Sequence, residues 1–324
     1  MSDDPASVSA SPYEEDRSPG SGVDSDGATH ATERSIGRRA FLGVIGVGIA
    51  AAAVAAADAF LSPRGPAPVT AGTGTVTGLL ATAHFSVAHR GCDRSWPEMS
   101  LYAYEKAVAV GFDALEISLA RTADGVWFGL HDDTLDRTSG VVQKRASMMT
   151  WAQVQEYRIR GSNAVDDPSQ PDRPYMRWEE LTDRYYGSRV IFIDPKSAGV
   201  HAAELLTRMD ALAGTPQDHL VCKGYGISGN SQNTTGWARD AAEHGYRRWG
   251  YFYGSDIPHL AEYEARWDIL GMDYSAGDSA WSAVRAFGKP VIGHVVPSTA
   301  AADAALAKGA AGVVASDASV HSGR

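Results

Sequence analysis

The chain has 324 residues, 44% hydrophobic and 21% charged, an ordinary globular composition with length for a full core. Its formal charge of −10 speaks against a nucleic-acid partner, because a phosphate backbone needs a basic footprint. Two cysteines, Cys92 and Cys222, are too few for a disulfide scaffold and read as free thiols or small buried residues.

Residues 1–33 are rich in Ser, Asp, Gly and Ala and hold almost no large apolar side chain. Such a leader cannot bury enough surface to fold. Residues 34–60 form an apolar export segment in which Arg38-Arg39 precedes Phe41-Leu42 and an uncharged run from Ala40 to Ala57. The arginine pair is similar to a twin-arginine signal, with Gly37 where Ser or Thr is usual. Ala55-Ala56-Ala57 offers a small-residue cleavage site, and the run also has the length of a single membrane span. The expectation is an exported, extracytoplasmic protein, either secreted or held in membrane contact by this segment. Residues 61–80, with several prolines, glycines and threonines, read as a linker. One domain remains, over residues 81–319.

From Phe85 onward short β-branched or aromatic runs alternate with helical spacing. Strands are expected at Ser86–His89, Ala114–Ser118, Val190–Asp194, Leu220–Lys223, Arg248–Tyr251, Ile269–Met272, Val291–His294 and Gly312–Ala315. Helices are expected at Leu101–Val110, Val200–Ala213, Thr235–His244, Ile257–Trp267, Ala280–Phe287 and Ala300–Lys308. Several are followed by a glycine, among them Gly111, Gly245 and Gly309, as helix ends often are. Eight strand–helix beats in one domain fit a (β/α)8 TIM barrel better than an open sheet. One insertion breaks the rhythm. Arg121 to Gly140 carries an Asp-Gly turn signal between apolar residues, which predicts a small hairpin after strand 2. Residues 160–175 read as a surface loop beside the mouth.

Catalytic groups of such barrels sit where the strands end. His89 and Arg90 end strand 1, Glu116 and Ser118 end strand 2, Asp194 and Lys196 end strand 3, and Lys223 ends strand 4. Polar groups therefore converge on one rim.

The segments "AHRG…PE", "GFDALEIS", "RTADGVWFGLHDDTLDRTSG", "FIDPK" and "ALAKGAAGVVASD" together resemble the glycerophosphodiester phosphodiesterase family, over about Ser86 to Asp317. The resemblance implies a metal-assisted barrel that cleaves a phosphodiester. His89 and His131 match its general acid and base, and Arg90 its phosphoryl-binding arginine. Glu116 matches a metal-binding glutamate, Asp194 stands where a second metal-binding glutamate is usual, and Lys196 matches a lysine of the phosphate site. The chemistry agrees with those residue types. A histidine pKa of about 6.5 suits both proton transfers of diester cleavage, and carboxylates suit a hard cation.

The chain departs from the family at two places. Ser118 replaces the usual Asp ligand, so metal charge compensation falls by one and affinity for Ca²⁺ or Mg²⁺ weakens. In strand 7, Gly293-His294-Val295-Val296 lacks the family's tryptophan, leaving Tyr251, Phe252, Tyr253, Tyr274 or Trp281 to wall the pocket. Two residues have two readings, and a third has one. Glu98 orients a site group or caps the helix near Met99, Lys223 belongs to the site or merely to the rim, and His294 reads as a core histidine. The resulting expectation is an exported, metal-dependent hydrolase of glycerophosphodiesters or related lipid-derived or wall-polymer phosphodiesters. Two alternatives stand beside it: a phospholipase-like enzyme acting on intact lipid head groups, and a phosphodiester-binding protein that has lost catalysis at Ser118.

Overall fold

The computed structural model describes residues 74–227 and 234–322. Its eleven described strands are β1 (Phe85–Ala88), β2 (Ala114–Arg121), β3 (Trp127–Gly129), β4 (Arg158–Ile159), β5 (Arg173–Pro174), β6 (Val190–Asp194), β7 (Leu220–Tyr225), β8 (Arg247–Phe252), β9 (Ile269–Asp273), β10 (Val291–Val296) and β11 (Gly312–Ala315). Eight of them, β1, β2 and β6 to β11, pair in parallel in that order, and β11 returns to β1 with Phe85 opposite Gly312. The sheet is thus the closed barrel expected from the strand–helix alternation. The insertion hairpin is also present: β3 runs antiparallel to β2, with Leu119 opposite Gly129. Within residues 160–175 the chain is more ordered than a surface loop, since Gly161–Asn163 make a 3-10 turn and β5 pairs with β4.

Side chains alternate between the two faces of each strand. One set, including Phe85, Ala114, Val190, Val221, Ile269 and Val314, packs inside the barrel. The other, including Leu115, Ile117, Ile191, Cys222, Leu270 and Val313, faces the helices. Both cysteines are free and buried.

The domain starts earlier than expected. Residues 76–80, read as linker, are part of a helix Val76–Ala81 capped by the Thr75 hydroxyl. Val76 and Leu79 are buried in the same cluster as the inward residues at the strand starts, so the helix covers the N-terminal end of the barrel. Burial of these two apolar side chains outweighs the Gly- and Thr-rich composition around them. The leader, the export segment and residues 61–73 lie outside the described residues. Among the described residues no helix is long and apolar enough to cross a membrane.

Helix Leu101–Val110 forms as expected, between a Ser100 cap and Gly111 at φ 108°. Two other expectations fail for local reasons. The stretch expected as one helix over Ile257–Trp267 is a 3-10 turn Gly254–His259, a short helix Leu260–Tyr263 and a second turn Glu264–Arg266. Pro258, which has no N–H to donate, lies in its first turn. Val200 belongs to a 3-10 turn Lys196–His201, and the α-helix begins only at Ala202. A helix Trp178–Tyr185 was not anticipated. Its sequence signal is Glu180, whose carboxylate accepts from the Arg177 N–H as in a capping box.

Candidate active site

The barrel mouth is built by strand parity. From Ala114 inward-facing, the next two inward positions of β2 are Glu116 and Ser118; from Val190 and Phe192, the next on β6 is Asp194. Lys223 follows Val221 on β7 by the same rule. Ser118 and Asp194 are register partners on adjacent strands. Glu116, Ser118, Asp194, Lys196 and Lys223 are all buried.

β1 ends one residue before the expected Ser86–His89 limit. His89 opens a 3-10 turn through Gly91, with Arg90 at φ 49° and Gly91 at φ 77°. A Cβ on Gly91 would stand 2.8 Å from Ala103 Cβ, so both the conformation and the close approach to the following helix require glycine. The turn directs the Arg90 N–H to Glu116 Oε2 at 2.9 Å.

Lys223 is the centre of the charged cluster. Its Nζ donates to Glu116 Oε1 at 2.7 Å and lies 3.5 Å from Asp194 Oδ2. Ser118 Oγ adds a longer bond to Glu116 Oε1, 3.4 Å. On the far side Lys196 Nζ is 3.3 Å from Asp194 Oδ2, and the Lys196 N–H donates to Asp194 Oδ1 at 3.1 Å. Burial alone would push the Glu116 carboxyl up, but Lys223, His89 and Arg90 outweigh it and hold it at about 2. Burial likewise opposes the charge of Asp194, and Lys196 and Lys223 keep its carboxyl below the usual range. Lys223 is pulled down by burial and lifted further by Glu116 and Asp194, so its ammonium stays protonated.

Each histidine has its Nδ1 on a carboxylate: His89 on Asp93 at 3.0 Å and His131 on Asp132 at 2.8 Å. That contact fixes the ring and makes Nε2 the nitrogen of proton exchange. Asp132 is itself held by Arg137, whose guanidinium makes a two-bond clasp on Glu98 at 2.6 and 2.8 Å. These contacts favour the first reading of Glu98. Its carboxylate positions His131 through Arg137 and Asp132, while the helix cap is the Ser100 hydroxyl, which accepts from Ala103 N–H. Asp133 is engaged elsewhere, on Arg145. Asp93 and Arg137 were missed in the sequence. The signals were available, as Asp93 follows His89 by four residues and Arg137 lies six residues after His131 in the same insertion. Removing the clasp with Arg137→Ala should cost up to about 10²-fold in kcat with KM changed less than about twofold; steady-state kinetics check this, and an equal loss in KM would mean Arg137 binds substrate directly.

Beyond the lysines the interior is aromatic. Tyr251 and Tyr253 line the interior, with Trp249 below and His294 buried among all three rings. His294 Nε2 pairs with the Phe252 carbonyl at 3.0 Å, which agrees with the core reading of this histidine. A Cβ on Gly271 would stand 2.7 Å from Trp249 Nε1, so glycine there makes room for the indole. Phe252 and Trp281 do not wall the pocket. Both fall in the layer between barrel and helices, as does Tyr274 at its edge, because strand parity turns Phe252 outward between Tyr251 and Tyr253.

The site also sets an acid response. Burial, with Arg90 beside it, lowers His89 well below the ordinary 6.5, so the unfolded chain takes up that proton first. Glu116, ordinarily near 4.5 and here about 2, works the same way at lower pH. Stability is therefore expected to decline as pH falls below about 6.5 and again between about 4.5 and 2. Urea unfolding across pH checks it; a flat profile from pH 7 to 3 would contradict it.

The model of the glycerophosphoryl diester phosphodiesterase family matches residues 89–187, the stretch that supplies both histidines, Glu98, Arg137 and Glu116. That match takes in about a third of the chain, and over it the chain is similar to this family. A Mycobacterium tuberculosis relative is 43% identical over 97 residues, 29% of this chain and 33% of the relative. Human glycerophosphodiester phosphodiesterase 1 is 26% identical over 125 residues, 38% of this chain and 37% of the human protein. The chain thus spans about a third of the length of these curated relatives. The fold is shared more widely. The crystal structure of a glycerophosphodiester phosphodiesterase from Agrobacterium tumefaciens superposes with a TM-score of 0.57 at 18% identity, covering 74% of this chain and all of that one. A phosphodiesterase from Oleispira antarctica, in complex with the product sn-glycerol-3-phosphate, gives 0.58 at 17% identity over 74% of this chain and 96% of that one.

The glycerophosphoryl diester phosphodiesterase family is generally dependent on a divalent metal, yet the expected ligands Glu116 and Asp194 do not fit one here. Glu116 Oε1 is taken by Lys223 and Oε2 by the Arg90 N–H, and the Lys223 ammonium lies between the two carboxylates, 3.5 Å from an Asp194 Oδ2 that is buried and accepts no hydrogen bond. Ser118 supplies a neutral hydroxyl in place of a third charge. Among the described residues, no group of three or more His, Cys, Asp or Glu side chains is arranged to hold a metal ion.

Proposed function

We propose that the protein hydrolyses glycerophosphodiesters or closely related lipid-derived or wall-polymer phosphodiesters at the barrel mouth. The observation that carries this reading is the pair of carboxylate-anchored histidines beside a cluster of three cationic side chains, Arg90, Lys196 and Lys223. Arg90 Nε is buried without a hydrogen-bond partner, which suits a donor meant for an anionic oxygen. The product sn-glycerol-3-phosphate bound to the Oleispira antarctica neighbour supports a small phosphate ester as ligand.

In this mechanism Arg90 and Lys196 bind the non-bridging phosphoryl oxygens and offset the negative charge that grows on them. His89, kept neutral by burial, accepts a proton from the attacking hydroxyl, of water or of the substrate, as the new P–O bond forms. His131, with Asp132 stabilising its protonated ring, donates a proton to the leaving alcohol as the old P–O bond breaks. The products are an alcohol and either a phosphomonoester or a cyclic phosphate, and both rings then recover their starting protonation from solvent. We extend the reading to an exported protein, on the strength of Arg38-Arg39 and the apolar run after it.

The test is release of alcohol and phosphate ester from a panel of glycerophosphodiesters and wall-polymer fragments by the full chain. Turnover of at least one, lowered by about 10²-fold or more in His131→Ala, is expected. Failure on every member, with and without Mg²⁺ or Ca²⁺, would overturn the reading.

A further inference from the structure

We infer that the ammonium of Lys223 takes the place of the divalent cation in this site, so that phosphodiester cleavage here needs no metal. The inference rests on the phosphodiesterase reading for its substrate, and on Lys223 and Ser118 for its content. Lys223 Nζ lies between Glu116 Oε1, at 2.7 Å, and Asp194 Oδ2, at 3.5 Å. These are the two carboxylates that the family resemblance makes metal ligands. A hard cation would bind the same oxygens at about 2.0–2.6 Å. It would have to enter the space that the ammonium already occupies, against like charge at van der Waals distance.

Charge balance gives an independent argument. Exchanging a divalent cation for an ammonium removes one positive charge. Exchanging the usual Asp for Ser118 removes one negative charge. The two departures cancel, and the net charge offered to a phosphoryl group is unchanged. Ser118 alone would read as decay of a metal site; with Lys223 beside it, it reads as half of a matched replacement. The hydroxyl still works in the cluster, as it donates to Glu116 Oε1.

The surroundings suit a fixed cation as well. Lys223 comes from inside β7, not from a loop, and its stem is buried. Its Nζ lies 5.2 Å from the centre of the Tyr251 ring and 5.8 Å from that of Trp249, where ring faces favour a positive charge. An ammonium has three donors. Glu116 engages one of them, and Asp194 Oδ2 is an ion-pair neighbour at 3.5 Å without a hydrogen bond, so a donor remains for a phosphoryl oxygen. Lys196 and Arg90 complete a set of three cations that act without a diffusible ion.

The test uses the full chain after exhaustive chelation, with metal content measured by mass spectrometry. Turnover of a glycerophosphodiester should agree within about twofold in EDTA, Mg²⁺ and Ca²⁺. Lys223→Met should lose about 10²–10³-fold in kcat, with no recovery in either metal. Calorimetry gives the second readout: wild type should bind neither ion, whereas Ser118→Asp/Lys223→Ser should bind Mg²⁺ or Ca²⁺. Loss of wild-type turnover in EDTA with recovery in Mg²⁺ or Ca²⁺, or stoichiometric ion binding by wild type, would overturn the inference. Absence of turnover under all conditions would instead count against the phosphodiesterase reading, and calorimetry would still decide the role of Lys223.

Discussion

Truncation of His131 to Ala is expected to lower kcat on a glycerophosphodiester by about 10²–10⁴-fold, the usual loss for a positioned acid or base. Cleavage of a phosphodiester expels an alkoxide unless a proton arrives with the departing oxygen. In the proposed mechanism His131 delivers that proton. Its Nδ1 is fixed on Asp132, Asp132 on Arg137, and Arg137 on Glu98. The truncation leaves the Asp132–Arg137–Glu98 chain intact, so the melting temperature should move little. KM should also change little, because Arg90 and Lys196 still hold the phosphoryl group. Steady-state kinetics and a thermal melt on the same preparation separate these effects. A kcat within tenfold of wild type would remove His131 from the chemistry.

Glu116→Leu should destabilise the protein by about 3–5 kcal/mol, the cost of leaving a buried charge without its partner. The carboxylate accepts from Lys223, from Ser118 and from the Arg90 N–H, so all three donors lose their acceptor at once. For a domain of this size the melting temperature should fall by roughly 6–20 °C. The double variant Glu116→Leu/Lys223→Met removes both charges and should recover much of that loss, because a buried pair replaced by apolar groups is often near neutral. Asp194 keeps Lys196 in that variant. Urea unfolding of the two single variants and the double completes the cycle. Additive losses would mean that Lys223 and Glu116 are not coupled.

Most of the barrel was legible because its strands are short β-branched runs whose alternation survives in one dimension. Their position at strand ends placed Glu116, Ser118 and Asp194 on the mouth before any contact was known. What the one-dimensional pattern lacks is the pairing made by closure. Lys223 meets Glu116 across 107 positions of sequence, and only the order β2–β6–β7 brings them together. The Glu98–Arg137 clasp spans 39 positions for a similar reason, since it joins the loop after β1 to the insertion after β3. The aromatic wall was half legible: Tyr251 and Tyr253 share the inner face, but Phe252 between them was not excluded by its outward parity. Local breaks such as Pro258, and the helix Val76–Ala81 inside a Gly- and Thr-rich stretch, depend on packing that composition does not carry.

The measurement that bears most directly on the account is phosphorus NMR of glycerophosphocholine incubated with the full chain, followed in parallel with His131→Ala. In the wild-type sample the diester resonance should decline and a phosphomonoester or cyclic phosphate resonance should replace it, while the variant should convert the diester at least about 10²-fold more slowly. An intact diester in the wild-type sample, in chelator and in Mg²⁺ and Ca²⁺ alike, or equal conversion by the variant, would contradict the account.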